Sequence, residues 1–311
     1  MAQSLVNEGR LRALFTGLST VFNDALIAAP QDYLDTCMVV PSTGRGMDYA
    51  WLTRFPKMRE WLGDKQVKNL ELQTYYVANK NWEATIGVDR NDIEDDQIGI
   101  YQIQAKMMGQ SASELYFNIA NTLKNGGFVQ TGMDGVNFYG AHSLVDSSDV
   151  SRSYNNAGTY ALSAANGNAA FRSVGTGRVA LFKMCDYEGQ PLGLIPDMLE
   201  VPPALEATAN ILMKADKLQD NSPNPYQGTM KIKVNPGLTS DTAWFVHATS
   251  MPIKPFVIQN RQSPMFVSQT SIDNDAVYNR REFRYGVEAR CAGAYGFWQL
   301  SYGSTGLTAN T

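Results

Sequence analysis

The chain carries only two histidines, His142 and His247, and a serine or cysteine nucleophile needs a histidine base beside it. His142 ends the stretch Phe138-Tyr139-Gly140-Ala141-His142, in a region rich in glycine and aspartate. His247 closes the apolar run Trp244-Phe245-Val246. Both read as hydrogen-bonded structural histidines. Gly303-Ser304-Thr305-Gly306 does not match the G-x-S-x-G nucleophile elbow. Gly175-Thr176-Gly177-Arg178 lacks the remainder of either glycine-rich phosphate cradle. The acidic group Asp89, Asp92, Glu94, Asp95 and Asp96 has carboxylates for a divalent ion but not the spacing of a calcium loop. It precedes a long helical pattern, where the helix dipole favours negative charge. No catalytic, cofactor-binding or metal-ligating residue is expected. Cys37, Cys185 and Cys291 are far apart and odd in number, as free thiols of a reducing cytoplasm would be.

The stretch from 45 to 68 is chemically denser. Large apolar side chains (Trp51, Leu52, Phe55, Met58, Trp61, Leu62) alternate irregularly with basic ones, among them Arg45, Arg54 and Arg59. Aromatics beside cations could stack single-stranded nucleic acid. Asp48, Glu60 and Asp64 interleave with them, and a protein interface with paired charges is the better account. Its expected intersubunit contacts are Arg45, Trp51, Arg54, Phe55, Arg59 and Trp61. The net charge of -4 argues against tight gripping of DNA phosphates. Charged residues are 18% of the chain, against about 25% in an average soluble protein. Neutral polar surface costs less to bury against a neighbour than charged surface does. With 311 residues, 44% of them hydrophobic, the chain can build one large core or two smaller ones.

The positioning elements follow from periodicity. Leu11, Leu14, Phe15, Leu18, Phe22 and Leu26 recur at helical spacing until Pro30 stops them. That stripe must pack on the chain's own body or on a neighbour. Thr16, Ser19, Thr20, Asn23 and Asp24 interrupt it, so no membrane span is expected. Met38-Val39-Val40 reads as a short strand. Residues 70 to 90 alternate, with Leu70, Leu72, Thr74 and Tyr76, then Trp82, Ala84, Ile86 and Val88, as a strand pair turning at Asn79-Lys80-Asn81. Ile100, Ile103, Met107, Leu115, Ile119 and Leu123 predict one unbroken helix over about 98–125, roughly 40 Å long. A weaker helix is expected from Ala164 to Met184, broken by Gly167, Gly175 and Gly177. Pro202-Pro203 opens another. Strands dominate from 227 onward, ending in a long run from Arg284 to Leu300. The class is α+β.

Four stretches resemble the Mu-like major head subunit family. They are Met47–Leu52 with Phe55–Gly63, Tyr76–Glu83 with Gly87-Val88 and Arg90–Asp96, Gly189–Gly193 with Pro196–Glu206, and Tyr285–Arg290 with Gly293–Gln299. They lie in the family's order and cover most of the chain from about 40 to 300. The resemblance implies a Hong Kong 97-like phage capsid fold. Residues 1–37 would be its N-terminal arm and 38–80 its extended hairpin loop. Residues 81–150 would form a peripheral domain with the spine helix at about 98–125, and 151–270 an axial domain. Residues 271–311 would return strands to the peripheral domain.

The same resemblance implies a major capsid protein that self-assembles, as hexamers and pentamers, into an icosahedral head enclosing the genome. Its implied partners are further copies of itself, portal and scaffolding or protease proteins, and minor or decoration proteins. Packaged double-stranded DNA would touch the inner face without sequence-specific binding. No cofactor and no membrane are implied. The protein would be made in the host cytoplasm and reside in the virion head. The competing readings are a tail or decoration subunit and, further off, a metal-dependent enzyme using Asp92 to Asp96.

Overall fold

The computed structural model describes residues 8–49, 75–94, 99–145, 151–186, 189–270, 279 and 281–309. In chain order they form α1 (Glu8–Ala28), a 3-10 turn (Asp32–Asp35), β1 (Cys37–Pro41), β2 (Gly46–Asp48), β3 (Tyr76–Ala78), β4 (Lys80–Asp89), α2 (Arg90–Glu94) and α3 (Gly99–Gly126). The middle of the chain holds β5 (Ala141–Val145), β6 (Ser151–Asn155), β7 (Ala157–Tyr160), α4 (Gly167–Ala170), a π-turn (Phe171–Gly175) and α5 (Thr176–Phe182). Then come β8 (Met198–Val201), α6 (Glu206–Lys214), β9 (Lys231–Val234), β10 (Trp244–His247), β11 (Phe256–Gln269), β12 (Glu282–Tyr295) and β13 (Ser301–Thr308).

Two sheets share the work. The first has the order β1-β11-β12-β4 and the second β7-β13-β10-β8-β9. In the first, β11 and β12 form a long antiparallel pair, and β4 adds antiparallel to β12 from Asp89↔Glu282 to Lys80↔Cys291. The second is mixed: β7 runs parallel to β13, and β9 parallel to β8.

The helix α3 is one unbroken rod of 28 residues, as its spacing predicts. Its first half carries α1. Leu11, Leu14, Leu18 and Phe22 are buried against Ala105, Met108 and Ala112 of α3 and against Phe266, Phe283 and Tyr285 of the sheet. The N-terminal stripe is thus spent on the chain's own body. By length and composition alone the span Gly9–Asp35 would suffice for a membrane crossing; its apolar stripe packs on α3 and the first sheet. A side chain at Gly109 would place its Cβ 2.4 Å from the Phe22 carbonyl oxygen and 2.8 Å from Ala25 Cβ. Glycine there lets the two helices cross closely. The second half of α3 sets Ile119 and Leu123 on the small residues of β12, where a Cβ at Gly293 would lie 2.6 Å from Ile119 Cγ2.

Several expectations are corrected. β3 and β4 do not pair with each other: β3 pairs with β2 and β4 with β12, and only Asn79 separates them. Alternation fixes which side chains share a face and leaves the partner strand open. Ile100, Ile103 and Met107 were expected on the buried stripe of α3, yet they are 61%, 64% and 64% exposed. The buried stripe there is Ala105, Met108, Gly109 and Ala112, because α1 needs small residues to approach. Gly175 and Gly177 do not break their helix, which runs from Gly167 to Phe182 through the π-turn. Gly177 lies against the ring of Tyr302. The run from Arg284 ends at Tyr295, and the last strand, β13, joins the second sheet rather than the first. β11 lies in the first sheet, although it falls inside the stretch assigned to an axial domain.

Leu18 is fully buried, so Leu18→Ala should cost about 2–5 kcal/mol. Ile103→Ala should stay within about 0.5 kcal/mol in the isolated subunit. Urea denaturation of both variants checks the assignment of the two faces.

Candidate functional site

Two constructions stand out: a paired root from which a segment departs, and a buried polar chain joining the sheets. At the root, β2 and β3 pair antiparallel from Gly46↔Ala78 to Asp48↔Tyr76. One further bond, from Tyr49 N–H to the Tyr75 carbonyl at 3.1 Å, extends the pairing to the last described residues on each side. The chain therefore leaves at Tyr49 and returns at Tyr75, directly beside its point of departure.

Buried Gln259 of β11 ties this root to the first sheet. Its Oε1 accepts from the Tyr49 hydroxyl at 2.9 Å, and its Nε2 donates to the Val77 carbonyl (3.2 Å) and to Asn79 Oδ1 (2.7 Å). Asn79 Nδ2 in turn donates to Ser42 Oγ and the Gly44 carbonyl, each at 3.0 Å. The Tyr75 hydroxyl accepts from Tyr295 N–H at 3.1 Å. Tyr295 donates its own hydroxyl to the Leu123 carbonyl at 2.8 Å, near the end of α3. The root is thus fixed to the C-terminal end of the long helix.

Of the six expected contact residues, only Arg45 lies among the described residues. It is exposed, and its carbonyl accepts from Asn79 N–H at 2.9 Å. Trp51, Arg54, Phe55, Arg59 and Trp61 lie outside the described residues, as do Asp95 and Asp96 of the acidic group. Asp89 caps the short α2 by accepting from Asn91 N–H at 2.8 Å, and Asp92 accepts from the Tyr101 hydroxyl. Among the described residues no cluster of three metal-ligating side chains occurs. Arg178 donates to the Thr229 carbonyl and covers the Phe182 ring at 5.6 Å. Buried Cys37 and Cys291 have their thiols pushed up to about 11, in both cases chiefly by burial.

The second construction was not foreseen. Lys124 Nζ of α3 lies 2.8 Å from Glu200 Oε1 of β8, both inaccessible to solvent. Asn235 Nδ2 donates to the same oxygen at 2.7 Å. The other carboxylate oxygen lies 3.0 Å from His247 Nε2 of β10, and His247 Nδ1 lies 3.0 Å from Ser301 Oγ of β13. Ser301 Oγ meets the Tyr139 hydroxyl at 2.8 Å. A carboxylate only accepts, so Nε2 carries the ring proton and Nδ1 accepts from Ser301. Burial alone would raise the Glu200 carboxyl, but Lys124 and His247 outweigh it and hold it far below its ordinary 4.5. Burial lowers His247 against the opposing pull of Glu200.

Serine, histidine and glutamate in line resemble a nucleophilic relay. However, Ser301, His247 and Glu200 are all 0% exposed. The ring is also reversed relative to that relay, in which Nδ1 faces the acid and Nε2 the nucleophile. Lys124 neutralises the carboxylate as well. The chain is a structural clamp between α3 and three strands of the second sheet. His142 is likewise structural: it bonds Asp134 through Nδ1 (2.5 Å) and stacks on Trp298 with ring centroids 4.0 Å apart. A sequence signal for the clamp did exist, since Glu200 and His247 each sit in a run of otherwise apolar strand residues. Nothing in spacing pairs residues 47 positions apart with a lysine on a helix.

The family described as "Mu-like prophage major head subunit gpT" matches residues 11–171, 166–238 and 233–311. The major capsid protein of Escherichia phage Mu is 28% identical over 96% of this chain and 74% of its own length. The FluMu prophage major head subunit of Haemophilus influenzae is 26% identical over 96% of this chain and 74% of its own. Among solved structures, a chain from the procapsid of bacteriophage JBD30 superposes with a TM-score of 0.61 at 27% identity, covering 96% of this chain and 76% of that one.

Two outcomes test the clamp. Lys124→Met leaves the buried Glu200 carboxylate without its cation and should cost about 3–5 kcal/mol in urea denaturation. Stability should also fall on acidification. Because the folded-state values of His247 and Glu200 are both lowered, the His247 contribution is complete above 6.5 and is lost as pH drops below it. The Glu200 contribution is complete above 4.5 and is lost below that. His247→Gln should flatten the upper part of the melting-temperature profile and leave the lower part in place.

Proposed function

The chain belongs to the Mu-like prophage major head subunit gpT family, and on that premise we propose how its geometry serves the shell. It is a major capsid protein of a Mu-like phage, with a Hong Kong 97-like α+β fold. Copies assemble with one another in the head of the virion. The proposal concerns the means. Residues 50–74, leaving and returning at the Tyr49–Tyr75 root, reach from one subunit to the next, with Trp51, Arg54, Phe55, Arg59 and Trp61 as contacts and Arg45 beside the root. The root carries this reading: it is a hydrogen-bonded stalk, pinned to the first sheet by Gln259 and to the end of α3 through Tyr75 and Tyr295.

The remaining expectations follow the same reading. Subunits form hexamers and pentamers through heterologous contacts that close into rings, giving an icosahedral shell. Each contact can be weak, because many act together. The chain performs no catalysis, consistent with a relay sealed from solvent and with Asp89 and Asp92 engaged in a helix cap and a tyrosine bond. Portal, scaffolding or protease, and minor or decoration proteins are its assembly partners. DNA meets the inner face without sequence-specific contacts.

The test is to replace residues 51–73 with a short Gly-Ser linker, keeping Tyr49 and Tyr75. Circular dichroism should match the parent while electron microscopy finds no closed shells. An unfolded variant would assign the aromatics to the subunit core, and normal shells would make the segment dispensable.

A further inference from the structure

The outer edges of the two larger sheets are β1, β4, β7 and β9, and they are not alike. β1 has five residues and ends in Pro41. β7 and β9 have four each, β7 with a break in its register and β9 with Lys231 and Lys233. Shortness, proline, lysine and irregular pairing all discourage one sheet edge from joining another. β4 has none of the last three protections that its length would call for except Lys80 at its first position: it runs ten residues in one continuous register with β12, without proline or bulge. Among the described residues no strand lies beyond it.

The backbone groups on this edge can be assigned. Arg90 N–H donates to the Arg281 carbonyl at 2.8 Å, one step beyond the Asp89↔Glu282 pair. Asp89 N–H turns the other way, to the Tyr101 hydroxyl at 3.4 Å. Alternation along an antiparallel strand then directs even-numbered residues at β12 and odd-numbered ones outward. Asn81, Glu83, Thr85 and Gly87 thus present their N–H and C=O groups away from the sheet, and all four residues are exposed.

We propose that β4 pairs antiparallel with β4 of a second copy of the chain, across a two-fold axis at Ala84. In this register the four outward residues pair only among themselves, Asn81 with the partner's Gly87 and Glu83 with the partner's Thr85, with two hydrogen bonds at each pair. No like charges meet. Within one strand the Thr85 hydroxyl already donates to Glu83 Oε2 at 2.9 Å, so the two side chains are compatible neighbours. Moving the axis to Glu83 sets that carboxylate against its own copy. Moving it to Thr85 sets Lys80 against the partner's Arg90 and calls on Asp89, whose N–H is engaged. On the other face Trp82, 38% exposed in the single subunit, meets the partner's Ile86. The apolar face that Ala84 and Ile86 add to the cluster under α1 then continues from one copy into the next.

Such a contact is isologous: it consumes both edges and stops at a pair, so the open edge cannot propagate into a fibre. It also differs in kind from the head-to-tail contacts that close a ring, and so supplies a means of joining one ring to another. The inference rests on the assembly of copies and not on the segment that leaves the Tyr49–Tyr75 root.

Shells of the full chain assembled from Glu83→Cys subunits, from Thr85→Cys subunits and from an equal mixture, then oxidised and run on a denaturing gel, test it. Directly opposed residues have Cα atoms about 5.5 Å apart, within disulfide reach, whereas two copies of position 83, or of position 85, are more than about 7 Å apart. The expected result is a covalent dimer from the mixture and none above the parental background from either variant alone. No dimer from the mixture means that something else covers the edge, and an equal dimer from one variant alone means another register; either overturns the proposal. In parallel, Thr85→Pro removes one outward N–H and spares the β12 ladder, as proline on an edge strand can. It should keep the parental circular dichroism and reduce shells at least about tenfold. Normal shells from a folded Thr85→Pro variant also overturn the proposal, and leave the reading of residues 50–74, which the 51–73 linker variant tests separately, where it stands. Should Thr85→Pro fail to fold, the crosslink decides.

Discussion

A lysine and a glutamate shut away from water hold this subunit in one arrangement. The Lys124–Glu200 pair joins the end of α3 to the centre of the second sheet, with His247, Asn235, Ser301 and Tyr139 completing its hydrogen bonds. Removing two charges from water is costly, and their attraction offsets that cost only when geometry and further hydrogen bonds are good. Slippage of α3 along the sheet would leave at least one charge buried and unpaired. Apolar packing tolerates small shifts, whereas this network has one satisfied state.

That rigidity gives the rest of the architecture its meaning. α3 is shared by two hydrophobic clusters, one with α1 and the outer part of the first sheet, the other with both sheets. Because the clamp fixes its C-terminal end, the root at Tyr49 and Tyr75 is fixed as well, through Tyr295 and Gln259. A shell subunit needs a body that does not deform and a means of reaching its neighbours. Here the long helix carries both hydrophobic clusters and anchors the paired root through Tyr295.

Much of the framework was legible beforehand. The stripe from Leu11 to Leu26 marked α1, and the spacing from Ile100 to Leu123 marked α3, nearly to its ends. Residues at fixed helical intervals share a face whatever the surroundings, so long periodic runs announce themselves. The same reasoning misassigned Ile100, Ile103 and Met107, because periodicity finds apolar faces and cannot tell which is buried inside the subunit. The small residues Ala105, Gly109 and Ala112 carried that information, through the close approach of α1 that they permit.

The sequence by itself determined the element types, the family likeness and the absence of any catalytic signature around its two histidines. Those depend on local spacing and on residue kinds, which the chain carries in one dimension. Tertiary structure alone decided the pairing of β4 with β12 rather than β3, the departure of β13 into the second sheet, and the meeting of Lys124 with Glu200 and His247. Strand partners and buried ion pairs are chosen by which surfaces can be desolvated together, a property of the whole chain closing on itself.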